Sequence, residues 1–250
     1  MNTNTKKKEL IGKIQNIEKV SVDTFKMEIH SELVSAIAGQ FISILCPDVK
    51  NVTLRRPFSI TDFSEEKKLT TILFKVKGDG TQYLSSLKKG DEINFIAPLG
   101  NGFCPSEEKK NSLLVGAGIG IAPMLFLKKE LDKKNIKNYL ISGFKTKEEV
   151  IEGSDETVVG GSVLDNIENL IKEKNIEVIY SCGPIVVLKK IAEISEKFNI
   201  ECQLAMEKVM ACSIGVCRGC VIKLIRDNET IQASVCKDGP VFKGSEIVWE

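Results

Sequence analysis

The sequence predicts three consecutive units: an antiparallel β-barrel, an α/β domain on a parallel sheet, and a small β-rich domain. Three observations carry this. From Leu10 to Pro98, short segments alternate apolar and polar residues with a period of two. From Ser112 to Glu207, apolar runs alternate with helix-length amphipathic stretches. The remainder is cysteine-rich and too small to bury a core of its own.

In the first unit the strands are expected in GKIQNIEKV, TFKMEIHS, QFISILC, RRPFSITDF, LTTILFKVK and DEINFIAP, with one helix, GTQYLSSLKKG, among them. The turn-rich, charged stretch LGNGFCPSEEKKN marks a change of texture, so the first unit is placed at 1–105. In the second, 106–207, parallel strands are expected in SLLVGA, KNYLISGF, ETVVGG, EVIYSCG and ECQLAM. Helices such as PMLFLKKELDKK and IVVLKKIAEISEKF come between them. The third, 208–250, offers CVIKLIR, ETIQASV and EIVW as short strands, and a metal or cluster would supply the stability its core lacks.

Composition narrows the function classes. The chain has 250 residues, of which 42% are hydrophobic, and a formal net charge of +1, so no basic footprint for nucleic acid is expected. The run Lys6 to Lys8 reads as a solvated terminus. No apolar signal core follows the first ten residues, and the apolar stretch Leu113 to Leu127 is short and broken by glycines and a proline. Neither secretion nor a membrane span is expected, and the compartment reads as reducing cytoplasm. The single histidine, His30, sits in a strand pattern, which disfavours histidine triads and histidine-rich metal sites.

Four of the eight cysteines, Cys212, Cys217, Cys220 and Cys236, are spaced Cys-x4-Cys-x2-Cys-x15-Cys. The first three match the spacing with which thiolates wrap a [2Fe-2S] cluster, and Gly215 and Gly219 would let the backbone approach the sulfides with positive φ. Zinc also takes four thiolates, but zinc ribbons present two separated CxxC knuckles, and only Cys217 and Cys220 form one. Buried free thiols are the blander reading, which three cysteines within nine residues and intervening glycines disfavour. Cys46, Cys104 and Cys202 have no partner at ligand spacing and read as fillers.

A [2Fe-2S] cluster passes single electrons and needs a donor or acceptor upstream. RRPFSI, Arg55 to Ile60, sets a guanidinium for a pyrophosphate beside groups that can bond a flavin ring, although two arginines on a strand are more often a charged edge. KGDGTQYLSSL places Gly78 and Gly80 at a helix start able to receive phosphate, with Thr81 near the N-cap. LLVGAGIGIAPM runs from a strand through Gly116, Gly118 and Gly120 into a helix with Pro123 in its first turn. It departs from GxGxxG but would seat a dinucleotide pyrophosphate by the same physics. SCGP ends a later strand on the same sheet edge, so Cys182, Gly183 and Pro184 would face a nicotinamide; the alternative for Cys182 is a buried strand end.

Taken in order, RRPFSI, GDGT, GAGIGIAP, CGP, the four cysteines and the closing VCKDGPVF resemble the ferredoxin-reductase superfamily. Within it they resemble the electron-transfer subunits of B-type dihydroorotate dehydrogenases, over essentially the whole chain. The resemblance implies an FAD-binding barrel, an NAD-binding α/β domain and a C-terminal [2Fe-2S] domain. It implies FAD contacts at Arg56, Pro57, Phe58, Ser59, Leu73, Phe74, Lys75, Gly80 and Thr81, cluster ligands at the four cysteines, and no catalytic side chain of its own. It further implies that electrons come from the FMN of a separate dihydroorotate-oxidising catalytic subunit, in an assembly of two plus two chains, and reduce NAD+. Phe58 stands where relatives often carry an aliphatic residue or tyrosine, and Ser213 where glycine is usual. The alternatives are the similar small subunit of an NADPH-dependent ferredoxin reductase or sulfide dehydrogenase, whose first ligand position holds aspartate rather than Cys212, and a zinc-stapled binding module. Lys145 and Lys147 leave NADP open as the nucleotide.

Overall fold

The computed structural model describes residues 7–47, 49, 52–106 and 108–249. Lys6 of the basic run and Glu107 of the first linker lie outside them, and Lys7 and Lys8 are exposed.

The period-two segments form six strands, β1 (Lys8–Lys19), β2 (Thr24–His30), β3 (Phe41–Ile44), β4 (Arg56–Ser64), β5 (Leu69–Lys75) and β6 (Glu92–Leu99). They close into a barrel in the order β1-β2-β5-β4-β3-β6, every pair antiparallel. Closure buries one face of each strand, and Met27, Ile29, Ile42, Ile44, Ile60, Ile72 and Phe95 have no exposed surface. Helix α1 (Asp79–Ser86) links β5 to β6 and buries Leu84.

The second unit alternates as expected: β7 (Asn111–Ala117), α2 (Ile121–Lys133), β8 (Lys137–Phe144), β9 (Glu156–Val159), α3 (Ile167–Glu173), β10 (Val178–Cys182), α4 (Ile185–Lys197) and β11 (Glu201–Ala205). β11, β10, β7, β8 and β9 are parallel neighbours. Side chains alternate across this sheet. Leu114, Leu140 and Tyr180 join α2 in one core with the barrel, whereas Leu113, Val115, Ile141 and Ile179 join α3 and α4 in the other. Each such side chain contributes about 1.5–3 kcal/mol on burial.

The third unit departs from expectation at its end. β12 (Val221–Arg226) and β13 (Glu229–Ser234) pair as a hairpin, followed by the short α5 (Val235–Asp238). The stretch from Glu246 to Trp249 forms no strand and contributes one bridge, Leu224 to Ile247. Instead β14 (Val241–Lys243) adds an antiparallel edge to the α/β sheet, with Val241 opposite Ala205 of β11. Phe242 is buried there, and Ile247 of EIVW reaches the same core without joining a strand. Cys220 and Cys236 belong to the same core as α3 and α4, so the cysteine unit shares its interior with the α/β unit.

Candidate functional site

Two cavities open where the barrel meets the sheet. The first, about 320 Å³, is lined by Arg56, Pro57, Phe58 and Ser59 of β4, Leu73, Phe74 and Lys75 of β5, and Thr81 of α1. Phe41 of β3 also lines it, and Cys182, Met206, Glu207, Lys208 and Met210 close it from the other units. The residues that the resemblance assigns to FAD are thus brought together from three elements. Phe58 packs at 5.6 Å on Phe74, which stacks at 5.8 Å on Phe25, so this wall is aromatic.

The two arginines of RRPFSI part company. Arg55 is committed to the barrel, with Nη2 2.7 Å from Glu9 and Nη1 reaching the carbonyls of Ser43 and Asn94. Arg56 faces the cavity, anchored by Nη1 on the Leu54 carbonyl at 2.8 Å. Gly80 lies in the first turn of α1, not before it, and a Cβ there would come within 3.2 Å of Arg56 Nε. The missing side chain lets the guanidinium lie against the helix start. Thr81 is the third helical residue, not the cap: its Oγ1 accepts from the amides of Lys77 (2.9 Å) and Gly78 (3.1 Å) and donates to the Gly78 carbonyl (2.9 Å).

The second cavity, about 640 Å³, lies at the carboxyl ends of the parallel strands and is lined by Gly118, Gly183, Pro184, Lys145 and Ser162 among others. Gly118, with φ of 57°, makes the turn from β7 toward α2. Gly116, Gly120 and Pro123 do not line it. Gly116 and Gly120 admit close packing, the first on Ile121 and the second on the Cys182 carbonyl, and Pro123 is buried in the first turn of α2. Lys147 faces a different cleft, beside Lys26 and Glu152, so only Lys145 of that pair reaches the second cavity. Cys182 is a buried strand end that also lines the first cavity, and burial pushes its thiol up.

Lys75, Lys77, Ile119 and Glu207 line both cavities and form their common wall. The Lys75 ammonium is held by Asp23 at 2.8 Å and Glu149 at 3.0 Å, which ties the barrel to the α/β unit. Glu207 stands just beyond β11; crowding by surrounding protein pushes its carboxyl above the usual range, opposed by Lys77. Sequence reasoning missed Lys77 and Glu207, because a lone lysine after a strand and a lone acid beyond another carry no local motif.

The four cysteines form two pairs, with the thiols of Cys212 and Cys217 interacting in one and those of Cys220 and Cys236 in the other. Backbone amides point at the sulfurs: Cys217 N–H to Cys212, Gly219 N–H to Cys217 and Cys236 N–H to Cys220, each at 3.4 Å. Burial opposes the Cys212 thiolate, but the amides of Cys217, Ile214 and Val216 outweigh it and bring the thiol down to about 6. Burial and the neighbouring Cys220 push Cys236 up to about 12. Among the described residues, no three His, Cys, Asp or Glu side chains close around a single-ion site. Two thiol pairs instead fit a group with two irons, each needing two thiolates. The left-handed positions are Ser213 (φ 60°), Gly215 (φ 91°) and Arg218 (φ 55°), and not Gly219 as the sequence suggested. Cys46 and Cys202 are buried and Cys104 exposed, all as free thiols. No described helix is long and apolar enough to cross a membrane.

Comparison with known proteins agrees with this arrangement. Residues 9–103 match the oxidoreductase FAD-binding domain, and residues 207–248 match the iron-sulfur cluster binding domain of dihydroorotate dehydrogenase B. The second match sets aside the zinc alternative. A dihydroorotate dehydrogenase B (NAD(+)) electron transfer subunit from Caldanaerobacter subterraneus is 42% identical, covering 84% of this chain and 87% of the relative. One from Fusobacterium nucleatum is 34% identical over 93% and 95% of the two chains. A solved NADH-dependent reduced ferredoxin-NADP oxidoreductase, studied for flavin-based electron bifurcation, superposes with a TM-score of 0.80 at 29% identity, over 95% of this chain and 90% of that one. The chain is a flavin and iron-sulfur oxidoreductase component, and it belongs to the family of electron transfer subunits of dihydroorotate dehydrogenase B.

Proposed function

We propose that this chain carries electrons from the FMN of a dihydroorotate-oxidising catalytic subunit, through a [2Fe-2S] cluster and FAD, to NAD+ in pyrimidine (UMP) biosynthesis. The observation that supports the reading is the wall shared by the two cavities, across which a flavin ring held in the first would meet a nicotinamide entering the second. Arg56 and the start of α1 hold the FAD pyrophosphate, while Pro57, Phe58, Ser59, Leu73, Phe74, Lys75, Gly80 and Thr81 shape its pocket. Gly118, Gly183 and Pro184 receive NAD, with Gly116, Gly120, Pro123 and Cys182 fixing the turn beneath it. Cys212 with Cys217, and Cys220 with Cys236, hold the two irons. A bound flavin exchanges electrons singly on one side and in pairs on the other.

The units 1–105, 106–207 and 208–250 serve FAD, NAD and cluster respectively. The exposed Cys217 and the exposed apolar Val209, Ile214 and Val216 around it mark the face that docks on the catalytic subunit, in an assembly of two plus two chains. The four cysteines outside the cluster, Cys46, Cys104, Cys182 and Cys202, are free thiols, which suits a reducing compartment, here the cytoplasm. The ferredoxin-NADP oxidoreductase likeness favours a second reading, as small subunit of such a complex. Cys212, where that group carries aspartate, supports the first.

The test is the absorption and low-temperature EPR spectrum of the chain purified without oxygen, before and after NADH. A flavin spectrum with a rhombic iron-sulfur signal on reduction is expected; a colourless protein overturns the reading. Rapid reduction of NAD+ by dihydroorotate once the catalytic subunit is added separates it from the second reading.

A further inference from the structure

Ser213 follows Cys212 directly, holds φ of 60° and has no exposed surface. A serine in the left-handed region bears strain that glycine avoids, and a buried hydroxyl needs a partner. The partner comes from another unit: Ser43 on β3, also fully buried, donates from Oγ to Ser213 Oγ at 2.9 Å. Other hydrogen bonds of the loop stay within the cysteine unit, as between Arg218 and Gln232 and from the Cys217 amide to Cys212.

Ser43 is well placed to transmit position. It is paired in register with Pro57 and lies two residues from Phe41, and both of those line the first cavity. Its carbonyl lies 3.4 Å from Arg55 Nη1. The path from the flavin cavity to the first cysteine therefore runs from Pro57 to Ser43, across one hydrogen bond, to Ser213 and Cys212.

We propose that Ser213 is a positioning residue for electron transfer: through Ser43 it fixes the Cys212 end of the cysteine loop against the barrel, and so sets the separation of the two redox groups. This rests on the function proposed above. The strain at Ser213 is retained because the hydroxyl that glycine lacks makes this contact.

The test mixes the holoprotein with NADH under anaerobic conditions, following flavin and cluster reduction separately, in the parent and in Ser43→Ala, Ser213→Gly, the combined variant and Ser43→Thr. Flavin reduction in Ser43→Ala should match the parent. Cluster reduction should slow about fivefold, the share of docked loop that one hydrogen bond sustains, and amide exchange at 212–217 should quicken by the same factor. The combined variant should be no slower than Ser43→Ala, and Ser43→Thr, which keeps the hydroxyl, should recover the parent rate. Parent-like cluster reduction in Ser43→Ala and Ser213→Gly overturns the tether alone. Failure of Ser43→Thr alongside Ser43→Ala assigns the effect to packing and also overturns it. A parent chain without iron overturns the underlying reading, and the tether with it.

Discussion

Gly120 packs so closely on the carbonyl of Cys182 that no side chain fits between them. The contact joins the start of α2 to the end of β10, next to Gly118 and Gly183, which line the second cavity. Gly120→Ala must push these elements apart, at a cost of about 1–3 kcal/mol. The expected result is a lowered melting temperature and slowed flavin reduction by NADH with FAD retained, read by thermal denaturation and stopped-flow absorbance.

Cys217→Ser removes one thiolate from the pair with Cys212 while leaving the barrel untouched. Iron and acid-labile sulfide should fall, and the flavin content should remain at parent level. Loss of flavin together with iron would show that the barrel depends on the cluster for its fold.

Thr81→Val keeps the shape of the side chain and deletes three hydrogen bonds, from Lys77 and Gly78 amides and to the Gly78 carbonyl. Helix α1 should lose about 1 kcal/mol of support at its start, where Thr81 and Arg56 line the first cavity and the proposed function places the FAD pyrophosphate. Weaker FAD retention on dilution, measured by flavin fluorescence, is the expected outcome.

Glu207 gives a pH dependence with a defined sign. Although Glu207 is exposed, crowding by the surrounding protein raises its carboxyl above the ordinary 4.5, so the folded chain holds the proton more tightly than the unfolded one. Stability is therefore undiminished below about 4.5 and declines as pH rises toward and through the folded value. Glu207→Gln should raise the melting temperature at neutral pH, and the gain should vanish in acid.

Much of this architecture is legible locally. Strand alternation marks every barrel strand, the glycines of GAGIGIAP mark the turn into α2, and the cysteine spacing marks the cluster loop. The edge strand Val241–Lys243 was not legible, because a three-residue pairing with a strand far back in the chain has no local period. Nor was the division of labour between Arg55 and Arg56, adjacent residues of the same type. One meets Glu9 on β1 and the other the cavity, which only barrel closure decides. Ser213 shows the same limit: its hydroxyl has meaning only beside Ser43, brought near by the docking of separate units.

The pairing of Ala205 with Val241 sets a residue just before the cysteine unit beside a strand near its far end, about 4.8 Å apart in a single sheet, with the four cysteines and the β12–β13 hairpin between them. The unit is in effect a long insertion clamped at both feet, and not a carrier on a leash. A carrier on a leash must swing between donor and acceptor, and its turnover slows in glycerol. On the function proposed above the redox groups would have no journey to make, so passage of electrons inside the chain should be indifferent to solvent viscosity.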